Sequence, residues 1–427
     1  MQAKHCRASF LTFLFFSWLV SACGVVATSA PTALPTATIA ALPQTSAPEP
    51  SVPAISIPSP TLTLTVPASR PETIAACKIR SYAFTNVGFG LPNPAHKLPS
   101  IGPVKTIVLF ADFEDVPARQ APDELFSQVS PNAETFYSDI SYGRMAYTLA
   151  PHFTWLRLSQ PSSHYGQGIR SYEGHLQFIQ ETINLADADV DFSTADSVLV
   201  IVPPEAEAVP YGPAFGANPN EGYVADGKVF SNGVTSGADL PNWGFLWLNH
   251  ETGHTMGLPD LYGYQADSAN YDDIHRFVGG FGLMGFIAGK APEFFAFERW
   301  QLGWLDDEQV FCQLDGEQIL PLTAIETPGG LKAAIVPLSE KKLVVIESRR
   351  AVGYDNDLEK EGALIYTVDT SIGSGEGPLV VFPVWENDPY RYQSPMAVGE
   401  TVTVEGVTIT VLEATDQGDT IQVTVEK

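Results

Sequence analysis

The stretch Asn249-His250-Glu251-Thr252-Gly253-His254-Thr255-Met256-Gly257-Leu258-Pro259-Asp260 decides how the rest of the chain is read. Residues four apart on a helix lie on one face, a turn apart, so the imidazoles of His250 and His254 converge on a single point. Glu251 projects beside that face. It is offset for ligation but within reach of a water held at the same point, which is where a general base belongs. Gly257 lets the chain leave the helix through a left-handed turn, and the reversal can bring Asp260 back as a third, oxygen donor. Two imidazoles and a carboxylate leave one position of a tetrahedral zinc ion open, as in catalytic sites, and no cysteine lies near enough in sequence to close it. The added Gly and Asp at fixed offsets make chance a poor source of the pattern.

Further segments extend the pattern. Gly279-Gly280-Phe281-Gly282-Leu283-Met284-Gly285 has the form of a methionine turn, and Phe297-Glu298-Arg299-Trp300-Gln301-Leu302-Gly303-Trp304 that of a helix ending in Leu-Gly-Trp. Upstream stands Phe136-Tyr137-Ser138-Asp139-Ile140-Ser141-Tyr142-Gly143; downstream stand Val345-Ile346-Glu347-Ser348-Arg349 and Gly362-Ala363-Leu364-Ile365-Tyr366-Thr367-Val368-Asp369. With these the chain resembles the immune inhibitor A family of secreted bacterial metallopeptidases, metzincin-like zincins. The likeness runs from about residue 101 to 369 and includes no large folded pro-region. It implies an α+β zincin-like catalytic domain holding one catalytic zinc ion on His250, His254 and Asp260, with Met284 as an apolar floor. It also implies endopeptidase activity on a protein or peptide, with Glu251 as the base that activates water. The rival expectation is a cell-surface binding or adhesion protein that keeps a non-catalytic zincin scaffold. Retention of both His and the Glu argues against that rival.

The chain has 427 residues, with 23 basic against 49 acidic side chains and a net charge of −26. Such a charge repels nucleic acid and anionic membranes, which are excluded as partners, and weakly favours a cationic peptide. Lys4, His5 and Arg7 precede an apolar run too short to span a bilayer, followed by Val20-Ser21-Ala22-Cys23, which resembles a lipobox with Cys23 as the lipidated residue. Residues 1–23 are therefore expected to be a lipoprotein-type signal peptide, so that the protein is exported and meets a membrane only through this anchor. Residues 24–72 are Ala, Thr, Ser and Pro with scarcely a charge, a composition that cannot bury enough apolar surface to order itself and reads as a disordered stalk.

Residues 105–112 form a continuous apolar run expected of a strand covered on both faces. Ser130 and Pro131 are placed to open a helix reaching Gly143, and residues 142–149 follow as a strand. A helix is expected over residues 171–188 and a buried strand over 197–202. Residues 223–230 interrupt a Gly- and Pro-rich stretch with an Asp226-Gly227 turn, near the expected cleft wall. Pro241 and Asn242 open the metal helix, which is apolar on nearly every side and should run through the interior. Beyond Asp260, Tyr262 and Tyr264 are candidates for polarising a substrate carbonyl or stabilising an oxyanion, although buried tyrosines more often pack. Asp267, Asp272 and Asp273 offer carboxylates for a calcium ion without EF-hand spacing, and His275 is an alternative metal ligand to Asp260.

The catalytic domain is expected over residues 73–312. From 313 to 427 eight short strands, separated by turn residues, suggest an all-β sandwich. The chain is expected to act as a monomer. Once the signal peptide is removed, an exported chain retains Cys77 and Cys312, a pair expected to be oxidised. The alternative is that Cys77, arriving from the stalk, plugs the zinc as a thiolate.

Overall fold

The computed structural model describes residues 71–82, 86–266, 271–385 and 387–426. The signal segment, Cys23, most of the stalk and Asp267 lie outside them. The described residues belong to a single compact unit, with a mixed α/β first part and a strand-rich C-terminal part. Among them no helix is long and apolar enough to cross a membrane.

After α1 (Pro71–Cys77), β1 (Gly102–Asp112) is buried along most of its length because it has a core on each side. Val104, Val108 and Phe110 face one core, and Ile107, Leu109 and Ala111 the other. This two-residue alternation between two apolar environments is why the run reads as unbroken hydrophobicity. The short α2 (Pro122–Phe126) leads to α3 (Asn132–Ile140), which buries Ala133, Phe136, Tyr137 and Ile140 in the first core. Pro131 caps this helix instead of opening it, and the Ser130 hydroxyl donates to Glu134 and leaves the helix terminus uncapped.

Strand β2 (Met145–Arg157) runs well past the expected Leu149. A short helix absent from the sequence reading, α4 (Ser162–Gly168), precedes α5 (Tyr172–Ala186), whose cap Ser171 accepts from the Gly174 N–H. Helix α5 closes the second core with Phe178, Ile179 and Ile183. Strand β3 (Ser197–Ile201) is followed by β4 (Ala214–Gly216), the hairpin β5 (Tyr223–Ala225) and β6 (Lys228–Phe230), and β7 (Asn232–Thr235). Asp226 and Gly227 turn the hairpin at φ 48° and 72°, the positive values that a two-residue turn of this hand requires.

The sheet runs β2-β1-β3-β7-β4. Its first four strands are parallel and β4, at the edge, is antiparallel to β7. The expected metal helix is two helices, α6 (Leu240–Trp243) and α7 (Phe245–Thr255). Gly244 breaks them at φ 56°. Helix α7 buries Trp247 and Leu248 in the first core. Helix α8 (Ala296–Gln301), at the expected Leu-Gly-Trp segment, is buried along its whole length.

The C-terminal strands are β8 (Val310–Cys312), β9 (Gly316–Thr323), β10 (Ala333–Pro337), β11 (Lys342–Arg349), β12 (Gly362–Asp369), β13 (Leu379–Phe382), β14 (Thr401–Val404), β15 (Val407–Thr415) and β16 (Gly418–Val425). They make two sheets, β13-β12-β11-β10-β8 and β14-β15-β16-β9. Val344, Ile346 and Ile365 meet Ile409, Val411 and Ile421 in the core between them. The other face of the first sheet, with Leu343, Val345 and Tyr366, is part of the same core as α3, α7 and α8. The expected seam at Cys312 thus lies at the end of β8, and the strand-rich part begins at Val310. Cys77 and Cys312 are joined in a disulfide, so Cys77 is outside the group of His250, His254 and Asp260 and has no free thiolate to plug a metal there.

Candidate metal centre

Helix α7 sets His250 and His254 one turn apart, with their rings 4.8 Å apart between centroids. At its end Gly257 takes φ 103°, and the Leu258 N–H returns to the Gly253 carbonyl. A side chain there would be strained, and its Cβ would stand 2.9 Å from Asn93 Oδ1. The reversal brings Asp260 Oδ1 to 3.2 Å from Nε2 of both His250 and His254. The three ligand atoms lie within 4.8 Å of one another.

The hydrogen bonds behind these atoms fix what they offer. His250 Nδ1 donates to the Leu283 carbonyl at 2.9 Å and His254 Nδ1 to the Leu258 carbonyl at 2.8 Å. With Nδ1 of each ring committed to a carbonyl, both rings turn Nε2 toward Asp260 Oδ1. That oxygen is buried and receives no hydrogen bond, whereas Oδ2 accepts from the Tyr264 hydroxyl at 2.8 Å and from Ser374 Oγ at 3.2 Å. The three facing atoms could hold a cation between them. The two 3.2 Å separations match the ligand-to-ligand edge of about 3.3 Å in a zinc tetrahedron with bonds of about 2.0 Å. Electrostatics agrees: burial resists ionising His254, yet the Asp260 carboxylate lifts its pKa to about 9, so the carboxylate demands positive charge there. Two imidazoles and a carboxylate are a donor set that zinc takes, and these three residues could hold such an ion.

Met284 is fully buried beneath α7, and Gly253 is what admits it: a Cβ on Gly253 would come 2.6 Å from the Met284 sulfur. The Leu261 N–H, just past Asp260, donates to the Met284 carbonyl at 2.9 Å, so floor and third ligand are tied together. Glu251 stands outside the ligand group. Its Oε2 accepts from the Ala214 N–H at 2.7 Å, which fixes the carboxylate between α7 and the edge strand β4. Burial raises its pKa, opposed by the charges of His254 and His250.

No family model and no curated protein matches this chain.

A cleft of about 890 Å³ opens over these residues, walled by β4 and by Trp243, Tyr262 and Phe286. Tyr262 lies alongside His250, with centroids 6.3 Å apart, and burial followed by the Asp260 and Glu251 charges keeps its hydroxyl protonated. Tyr264 is displaced from its expected oxyanion role, because its hydroxyl is committed to Asp260 and Ser374. His275, the alternative ligand, packs on Phe286 at 4.0 Å and is not in the ligand group. Of the calcium candidates, Asp273 pairs with Arg276. Among the described residues the only cluster able to hold a metal is that of His250, His254 and Asp260.

The sequence reading missed Ser374, which receives the Asp260 N–H at 2.8 Å from a loop 114 residues away. It also missed the Ala214 N–H, a backbone donor that no residue type marks, and Asp239, whose carboxyl burial lifts to about 6 beside Glu251.

Proposed function

We propose that this protein is an exported zinc-dependent endopeptidase with a zincin-like catalytic part of the immune inhibitor A type. The observation that carries the reading is the convergence of His250 Nε2, His254 Nε2 and the unpartnered Asp260 Oδ1, with the Glu251 carboxylate fixed beside them at the floor of an open cleft. His250, His254 and Asp260 would hold the zinc; bound there, it would polarise a peptide carbonyl and acidify a water molecule. Glu251 takes the proton from the attacking water and returns it to the leaving nitrogen. Its anchoring by Ala214 keeps one oxygen occupied and the other free for that exchange. Tyr262 keeps a protonated hydroxyl in the cleft, available to the carbonyl oxygen. A cleft open along β4 suits an extended chain, whose backbone can pair with an edge strand. Casein digestion tests the proposal: cleavage should be abolished by 1,10-phenanthroline and restored by zinc. Cleavage that survives the chelator, or none by the zinc-loaded protein, contradicts it.

A further inference from the structure

Lys97 is only 7 % exposed, and it lines the same cleft as His250, Glu251 and His254. The segment carrying it is clamped at several points around the site. The Asn86 side chain donates to the Gly216 carbonyl at the end of β4, and the Gly88 N–H to the Gly257 carbonyl. Asn93 donates to the Met256 carbonyl, and the Leu98 N–H to the Thr255 carbonyl. Lys97 thereby lays its stem over the ligand turn, with Cγ 3.6 Å from the point a Cβ on Gly257 would occupy. It sits between the end of the edge strand and the end of the metal helix.

Its ammonium has no carboxylate partner among the described residues, and burial is the cause that lowers its pKa, to about 8. A second, shallower hollow that Lys97 also borders holds Asp196, but that carboxylate accepts from the Lys105 backbone and does not act on Lys97. The same ammonium depresses the neighbouring His96, after burial. The stem is buried while the ammonium stays accessible from the cleft, half-desolvated and with no counter-charge, so a carboxylate that reaches it gains a charge-assisted partner. Lys97 is also the one Lys or Arg among the described residues lining the cleft, in a chain of net charge −26. Away from the position a metal would take, a peptide carboxylate is disfavoured beside Asp239 or Glu251 and favoured beside Lys97.

The geometry points to Lys97 as a specificity-determining residue that receives a carboxylate of the peptide being cut. This rests on the endopeptidase reading and names its substrate class: peptides with an anionic group at a fixed distance from the scissile bond. The carboxylate belongs either to an acidic side chain or to the end of the chain. The preference acts at contact range and differs from the long-range field of the whole molecule, which favours cations.

The test starts from bonds cut in casein, mapped by mass spectrometry, and uses acetylated, amidated peptides with Glu or Gln at each position around one such bond. At one position kcat/KM should favour Glu by about tenfold, the scale of one charge-assisted hydrogen bond. Lys97→Met should erase that ratio and Lys97→Arg should keep it. A ratio within one enzyme is insensitive to partial misfolding, and zinc content and melting temperature report the folding of each variant. A second arm compares neutral peptides with free and amidated C-termini; preference for the free end, lost in Lys97→Met, assigns the carboxylate to the chain terminus. The inference is overturned if neither arm discriminates, or if Lys97→Met retains the discrimination. Failure to cut any peptide would instead defeat the endopeptidase reading. Fluorescence anisotropy of the same Glu and Gln peptides on Glu251→Ala, with and without Lys97→Met, then still decides whether Lys97 selects the carboxylate.

Discussion

Asp260 is the residue on which the site's geometry turns. Its two oxygens have different duties: Oδ2 is held by Tyr264 and Ser374, so Oδ1 is left aimed at the two imidazoles. Partners of this kind behind a ligand typically change metal affinity by 10–100-fold when removed. Tyr264→Phe should therefore weaken zinc binding by about tenfold in a competition titration, with the fold intact. Unchanged affinity would mean that Asp260 is positioned by the turn at Gly257 and by Ser374 without help from Tyr264. That His250, His254 and Asp260 come together with Glu251 beside them was legible because their spacing on a helix and its exit turn is local. Ser374 was not, since nothing about a serine 114 residues downstream marks it as a partner of Asp260.

Helix α7 and the methionine segment form one packed element pair. Gly253 faces Met284 so closely that any side chain must displace the sulfur. Gly253→Ala should cost roughly 1–3 kcal/mol, as overpacking of a filled core does. In thermal unfolding, Met284→Leu should recover part of that loss, because the shorter branch withdraws from the new methyl group. Strictly additive effects of the two substitutions would contradict the contact. Element boundaries were less legible than element types. Pro241 and Asn242 do start a helix, but Gly244 at φ 56° ends it after one turn and α7 starts anew. Strands β11 and β12 are nearly continuous in burial, unlike the alternating β9 and β15, because they are covered on both faces.

At the scale of the whole molecule, the strand-rich part shares a core with the part that carries α7, and a buried ionic network lies where they meet. Arg349 bonds Glu347 and Asp355, and Arg299 bonds Glu293. The Ala296 N–H donates to Glu347 and the Phe297 N–H to Tyr366. Sequence periodicity separated the two parts at Cys312 but carries no signal for such contacts, which are made by isolated charges on α8, β11 and the loops beside them. Within this network burial raises the Glu298 carboxyl to about 8, against the Phe295 N–H and the Arg349 charge that pull it down. Unfolded, the group ionises near its ordinary 4.5. Between those values the folded chain holds the extra proton, so this group's contribution to stability falls as pH rises from 4.5 toward 8. Glu298→Gln should melt higher than the parent by roughly 2 °C or more at pH 8, with the difference shrinking toward pH 5. A difference independent of pH would contradict the neutral, buried carboxyl.

The separation of ligands from base can be measured on purified proteins by metal analysis alongside casein hydrolysis. The parent and Glu251→Ala should each carry about one zinc ion per chain, with hydrolysis by Glu251→Ala reduced by at least about a hundredfold, while His254→Ala should carry none. A parent without zinc, or loss of the zinc in Glu251→Ala, would contradict the assignment of His250, His254 and Asp260 as ligands and Glu251 as base.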